Sequence, residues 1–331
     1  HTTAWALQSV CSHAFGLSQS NAPPVFFSPK TAGGATRRRA QCAGPCRLRM
    51  TVCCCCHVGG PAQLTDADLP PAQFNLAVTV LTHKDEAEAV RVGGVGFAGN
   101  GSAPGEPVQA WILGGDPTGA LPTAAGRQAH CDYLIRSSFL QAQSFGGVVL
   151  GAKLNGQLAG IAIAYPPGRM INPGSCDELC MFGHICCCKM ACATPPQDPK
   201  AVHTSSFKPR YAAFEKAMKS EALAAVWKPL RKQYWKFEIL AVDAPSRGQG
   251  VGTALVQAVH HLADKDGAPT YVEFAGEQLL AFYTKQGFGE HDATCDLEHG
   301  GSTISMYARL RNGAAAGGSS AKVAPDTMAR S

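Results

Sequence analysis

The stretch Phe237-Glu238-Ile239-Leu240-Ala241-Val242-Asp243-Ala244-Pro245-Ser246-Arg247-Gly248-Gln249-Gly250-Val251-Gly252-Thr253 decides how the chain is read. It opens on an apolar strand, Phe237 to Val242, and passes through a glycine-dense turn. Beyond the turn lies a helical pattern with Leu255, Val256, Val259 and Leu262 on one side. Glycine lets the main chain come close to a ligand, and the first turn of a helix carries N–H groups with no acceptor inside the helix. Together these features make a phosphate-binding junction. Arg247 stands at the mouth of the turn and adds positive charge. A phosphorylated cofactor or co-substrate is therefore expected at residues 247–253.

Three cofactor classes compete for that turn. A P-loop needs Gly-x4-Gly-Lys-Ser/Thr, and no lysine follows any of these glycines, which excludes nucleotide hydrolysis of that type. A dinucleotide loop needs Gly-x-Gly-x-x-Gly. Gly248 and Gly250 fit, the third position falls on Thr253, and Glu273 stands where a ribose-binding acid could sit. The third pattern, Arg/Gln-x-x-Gly-x-Gly/Ala, is met by Arg247, Gly250 and Gly252. It resembles the acetyl-CoA pyrophosphate loop of the GNAT acetyltransferase superfamily. Further along, Leu280-Ala281-Phe282-Tyr283-Thr284-Lys285-Gln286-Gly287-Phe288 is similar to the Phe-Tyr-x-x-x-Gly-Phe signature that ends the last helix of the GNAT core. Between the two lies Thr270-Tyr271-Val272-Glu273-Phe274, a short β-rich run bounded by Gly267 and Gly276. The order of elements and their spacing both match that superfamily.

The resemblance implies an α/β domain with a GNAT-like mixed, mostly antiparallel sheet of six or seven strands flanked by about four helices. It also implies direct acetyl transfer from acetyl-CoA to a primary amine, with acetyl-CoA as co-substrate and no metal. An ammonium is not nucleophilic, so a base must remove its proton, and an acid should protonate the departing thiolate. On this pattern Glu238 is the base and Tyr283 the acid. Strand alternation would put Glu238, Leu240 and Val242 on one face. Leu240, Ala241 and Val242 are expected to offer main-chain groups to the pantetheine arm. Arg247, Gly248, Gln249, Gly250, Val251, Gly252 and Thr253 are expected to hold the pyrophosphate. The family's usual asparagine, seven residues before the tyrosine, is Gly276 here. The alternative reading is a catalytically inactive CoA-binding module. The acceptor stays open between a small molecule and a protein amine; in this fold it is chosen by the first two helices and by loops near 93–125 and 169–210.

The net charge of +5 says little about the folded body. No Asp or Glu precedes Asp66, whereas Lys30, Arg37, Arg38, Arg39, Arg47 and Arg49 do, so the rest of the chain is close to neutral. That argues against nucleic acid as a bulk electrostatic partner. The acid-free, Arg- and Ser-containing stretch reads as an organellar transit peptide, plastid first, with mitochondrion or cytoplasm as alternatives. No apolar run is long enough to span a membrane. Ten of the 15 cysteines cluster at Cys53–Cys56 and between Cys176 and Cys192, a poor disulfide framework that fits a reducing compartment. His184 among the second cluster invites a zinc reading, but three consecutive thiols crowd one ion and the spacing suits no ordinary knuckle.

Residues 1–70 are taken as a leader outside the fold, 74–310 as the domain with a Cys-rich insertion over 169–207, and 311–331 as a disordered tail. Phe74 to Leu81 reads as a first strand, followed by a helix from His83 to about Val92 capped by Thr82. Gly93 to Pro107 reads as a glycine-rich interruption. A helix over about 127–142 follows, with Tyr133, Leu134, Phe139 and Leu140 on its apolar side. Asn155-Gly156 supplies the two positive φ angles of a tight hairpin turn between 147–154 and 157–165. Residues 211–230 read as one helix ended near Pro229, 276–286 as the last core helix, and 292–310 as two closing strands turned at His299-Gly300-Gly301.

Overall fold

The computed structural model describes residues 64–72, 75–99, 105–114, 123–169, 207–289 and 291–313. In chain order these form β1 (Leu76–Val80), α1 (Glu86–Ala98), α2 (Pro107–Ile112), α3 (Ala124–Phe145), β2 (Val148–Leu154) and β3 (Gln157–Tyr165). Then come α4 (Phe207–Met218), α5 (Glu221–Trp227), β4 (Trp235–Val242), α6 (Val251–Lys265), β5 (Thr270–Ala275), α7 (Leu280–Lys285), β6 (His291–His299) and β7 (Ser302–Arg311). The strands make one seven-stranded sheet in the order β1-β2-β3-β4-β5-β7-β6. Every neighbouring pair is antiparallel except β4 and β5, which run parallel. This is the mixed, mostly antiparallel α/β sheet that the sequence implies.

The hairpin is built as its turn dictates. Asn155 and Gly156 take φ of 53° and 79°, and Leu154 pairs with Gln157 directly across. Thr82 caps the following helix reciprocally: its backbone N–H and hydroxyl both donate to the Asp85 carboxylate. The Cys-rich segment, the cysteines at 53–56 and the tail beyond 313 lie outside the described residues.

Three expectations need correction. Helix α1 does not stop at Val92 but continues through Gly93, Gly94 and Gly96 to Ala98. Those glycines are contact points. A Cβ on Gly93 would sit 2.6 Å from Ile161 Cδ1, and one on Gly96 would sit 3.1 Å from the Val242 carbonyl oxygen. The helix is glycine-rich because it lies close against the sheet. Second, 211–230 is two helices. Ser220 caps α5 by accepting the Leu223 N–H, so the chain turns between Met218 and Glu221. Third, the buried side of α3 carries Cys131, Ile135, Phe139 and Ala142, while Tyr133, Leu134 and Leu140 are only partly covered. Packing also reaches back to Leu64 and Leu69, and Asp66 accepts the Val80 N–H at 2.7 Å.

The two sheet faces are covered differently. Helix α6 lays Leu255, Val256, Val259 and Leu262 over one face, against Leu150, Ala162, Phe237 and Val272. Helices α1 and α3 cover the other face over β2 to β4. On that same side α2, α4 and α5 pack over β5, β6 and β7, through Phe207, Phe214, Leu223 and Tyr271. The helix-covered side therefore has two blocks, and the sheet beneath the gap between them holds the site.

Candidate active site

Strand β4 leaves its parallel neighbour early. Only Trp235, Lys236 and Phe237 pair with β5, through Thr270, Tyr271 and Val272. Beyond Phe237 the two strands diverge, leaving a wedge between them. On its other side β4 stays paired with β3 as far as Val242 and Gly160. Its open edge therefore presents main chain from 238–242, where Leu240, Ala241 and Val242 lie. Unpaired strand edges of this kind take up an extended ligand as an added strand.

A bulge stands where the wedge opens. Ile163 pairs with Ile239 and Ala164 with Phe237, so Glu238 is the extra residue on β4. The bulge resets the side-chain alternation. Trp235 and Phe237 face α6, Ile239 and Ala241 face α1 and α3, and Leu240 and Val242 return to the α6 side. Glu238 thus does not share a face with Leu240 and Val242, contrary to plain strand alternation. Its side chain keeps company with Lys236, whose Nζ lies 2.9 Å from Glu238 Oε2 and 3.7 Å from Glu273 Oε2. The Tyr271 hydroxyl donates to Glu273 Oε1 at 2.7 Å.

This cluster fixes the charge state of Glu238 and Lys236. Burial would raise the Glu238 carboxyl and the adjacent Lys236 ammonium acts against it; the group lies well below the usual carboxylate range. Burial alone would lower Lys236, and the two glutamates reverse that and hold its proton tightly. Glu273, which a dinucleotide reading would assign to a ribose, is committed to Lys236 and Tyr271.

A cavity of about 660 Å³ runs from this cluster through the wedge. It brings Glu238, Leu240 and Tyr283 together. Aromatic residues from several elements wall it, among them Phe97, Tyr165, Phe214, Trp227, Tyr234 and Phe274. Tyr283 is buried, stacked on Phe274 at 4.4 Å between ring centroids and edge-on to Phe282 and Phe288. Burial, and then the charge of Glu106, keeps its phenol protonated well beyond its ordinary range.

The glycine turn lies at the far end of β4. Gly248 and Gly250 take φ of 77° and 83°, and Gly250 is the N-cap of α6. Nothing crowds a Cβ at Gly248, so these two are glycine for their backbone conformation. The first N–H of α6 to find a helical acceptor is that of Ala254, on Gly250 O at 2.9 Å, so those of Val251, Gly252 and Thr253 precede the ladder. The residues fit a phosphate-bearing group: a positive-φ cradle with main-chain donors at the head of a fifteen-residue helix. Arg247 does more than lend charge. Its guanidinium donates to Gly96 O at 3.0 Å and Val242 O at 3.3 Å, tying the turn to α1 and to the end of β4. Gln249 Nε2 closes the turn onto Pro245 O.

Sequence reasoning missed Glu106, Lys236 and the true partners of Glu273. Lys236 and Glu238, two apart on one strand, carried a readable signal for an ion pair. Glu106 lies in a loop just ahead of Pro107 and carried none beyond its place before a helix-opening proline. Among the described residues no group of three potential metal ligands comes together, and no helix is long and apolar enough to cross a membrane.

Residues 215–290 match the family model described as an acetyltransferase (GNAT) domain. No curated protein matches the chain in sequence. Among solved structures the chain is similar to the ribosomal-protein-S18-alanine N-acetyltransferase from Escherichia coli, at 12% identity and a TM-score of 0.37, covering 73% of this chain and 96% of that one. It is similar also to a GCN5-related N-acetyltransferase from Rhodopseudomonas palustris, at 13% identity and a TM-score of 0.36, covering 73% and 99%. A third, titled histone acetyltransferase HPA2 and related acetyltransferase, from Corynebacterium glutamicum, shows 18% identity and a TM-score of 0.35 over 71% and 96%.

Proposed function

The chain belongs to the GNAT superfamily, and from that premise we propose that it is an acetyl-CoA-dependent N-acetyltransferase acting on a primary amine. The observation that carries the reading is the wedge between β4 and β5, with Glu238 at its start, Tyr283 in its wall and the glycine turn at its end. The open edge of Leu240, Ala241 and Val242 would hold the pantetheine arm. The turn from Arg247 to Thr253 would hold the pyrophosphate through main-chain N–H groups. When bound, acetyl-CoA supplies the thioester carbonyl that the amine attacks.

The residues of the chain supply orientation and proton movement. Glu238, kept ionised by Lys236, draws the acceptor's ammonium to the bulge and takes its proton, directly or through a water. The Glu238–Lys236–Glu273 cluster carries one net negative charge, which favours a cation beside it. Tyr283 holds its proton firmly and so can deliver it to a thiolate. The aromatic walls exclude water and suit an acceptor with an apolar body behind its amine.

The test is thiol release from acetyl-CoA against a panel of amines, with wild type, Glu238→Gln and Tyr283→Phe. Turnover with one acceptor class, reduced in both variants, supports the enzyme. Tight acetyl-CoA binding without turnover on any amine would favour a CoA-binding module. Localisation to a plastid remains part of this proposal through the acid-free leader, and is tested by imaging the full chain fused to a fluorescent protein.

A further inference from the structure

Glu106 lines the cavity apart from the Glu238–Lys236–Glu273 cluster, and two helices fix it. Its backbone N–H donates to Phe97 O at 2.8 Å, at the end of α1, and its Oε2 accepts the Gln109 N–H at 2.7 Å, at the start of α2. It lines the same cavity as Glu238 and Tyr283. The groups around it come from several elements. Tyr283 of α7 and Cys131 of α3 both hold their protons more tightly, through burial first and then through the charge of Glu106. His130 of α3 is turned to Gln109 Oε1 at 3.1 Å. Asp132 and Arg127 of α3 also act on Cys131, in opposite senses. The cavity's lysine on β4, Lys236, spends its charge on Glu238 and Glu273.

Glu238 and Glu106, two of the three carboxylates that line the cavity, thus sit in opposite environments. Glu238 has an ammonium against it and is a weak base. Glu106 is desolvated, which pushes its carboxyl up to about 7 against the opposing pull of the Gln109 and Val108 N–H groups. Pairs of titratable groups driven apart in this way divide acid–base work between them.

We propose that Glu106 is the terminal acceptor of the proton leaving the amine, with Glu238 holding the ammonium and passing the proton on. The inference rests on the acetyltransferase reading. An N–H bond of the ammonium breaks and an O–H bond forms on the Glu106 carboxyl. The freed amine forms the C–N bond as the C–S bond breaks. Tyr283 protonates the thiolate and recovers a proton from the new amide nitrogen. One proton remains, on Glu106, and leaves to solvent.

The test is the pH dependence of kcat/KM for the full chain, comparing wild type, Glu106→Gln and Glu106→Asp on the best amine of the panel. Glutamine keeps an oxygen for the Gln109 N–H, and melting temperatures confirm that the variants fold. Wild type should show an acid limb near neutral pH. Glu106→Gln should lose that limb and fall roughly a hundredfold in kcat, while Glu106→Asp should restore part of both. An acid limb that Glu106→Gln leaves unchanged overturns the inference and spares the enzyme reading. Acetyl-CoA binding with no turnover by wild type on any amine overturns both.

Discussion

Tyr283 is held by three rings and still faces the cavity, so its hydroxyl can be removed with little loss of packing. Tyr283→Phe should keep the melting temperature within a few degrees and lower kcat about a hundredfold, as read by steady-state thiol release. Lys236 is the complementary case. Its Nζ joins two glutamates, and Lys236→Met would leave both facing each other without the ammonium between them. Breaking such a buried pair costs about 3 kcal/mol, and the Glu238 carboxyl should rise. Urea unfolding checks the first effect and carboxyl NMR titration the second. Tyr283 could be singled out from sequence because it lies in a motif of fixed spacing, and Glu238 because it lies on the strand leading into the glycine turn; both line the cavity, and their roles belong to the proposal. Glu106 was not, because a single loop carboxylate has neither period nor motif, and its environment is made by chain segments distant in sequence.

At the level of elements, the glycines of α1 and of the turn answer different needs. Gly93 lies against Ile161 and Ile135, and a Cβ there would meet Ile135 Cγ2 at 2.8 Å. Gly93→Ala should therefore destabilise by about 1–3 kcal/mol despite alanine's better helix propensity, which urea unfolding would register. Gly250 has an open surrounding and a φ of 83°, so Gly250→Ala costs backbone strain of about 1–2 kcal/mol. The strain should appear chiefly as weaker acetyl-CoA binding by titration calorimetry, because the cap conformation aims the N–H groups of α6. The strand–turn–helix junction and the Asn155-Gly156 hairpin were legible since local chemistry dictates them. The length of α1 was not: glycines in a helix read as breakers until the partner surface is known. The bulge at Glu238 was equally hidden, for it is a property of pairing between β3 and β4.

For the whole molecule, two desolvated groups pull stability in opposite directions with pH. His260 on α6 packs at 5.1 Å from the Phe288 ring, and burial, then Arg311, lowers its value to about 3. The unfolded chain takes up that proton first. The stability is therefore full above 6.5 and is lost as pH falls toward 3. Glu106 acts in reverse. Its folded value is raised from 4.5 to about 7, so its contribution is full below 4.5 and is lost as pH rises through 7. Glu106→Gln should consequently gain about 1–2 kcal/mol on wild type between pH 5 and pH 8. His260→Phe should instead lose its deficit, or gain, as pH drops from 7 to 5. Melting curves at those values separate the two.

The short parallel contact between β4 and β5 bears on how the molecule moves. Three residue pairs join a four-stranded plate, β1 to β4, to a three-stranded one, β5 to β7 to β6. Beyond that seam only helix and side-chain packing hold the plates together, and a ligand chain lying in the wedge would act as the missing rung of the ladder, bracing the plates at one angle. Amide hydrogens along both lips, from 238 to 242 and from 273 to 275, should then exchange more slowly once acetyl-CoA is present. The co-substrate would serve as a mechanical part of the sheet for as long as it stays.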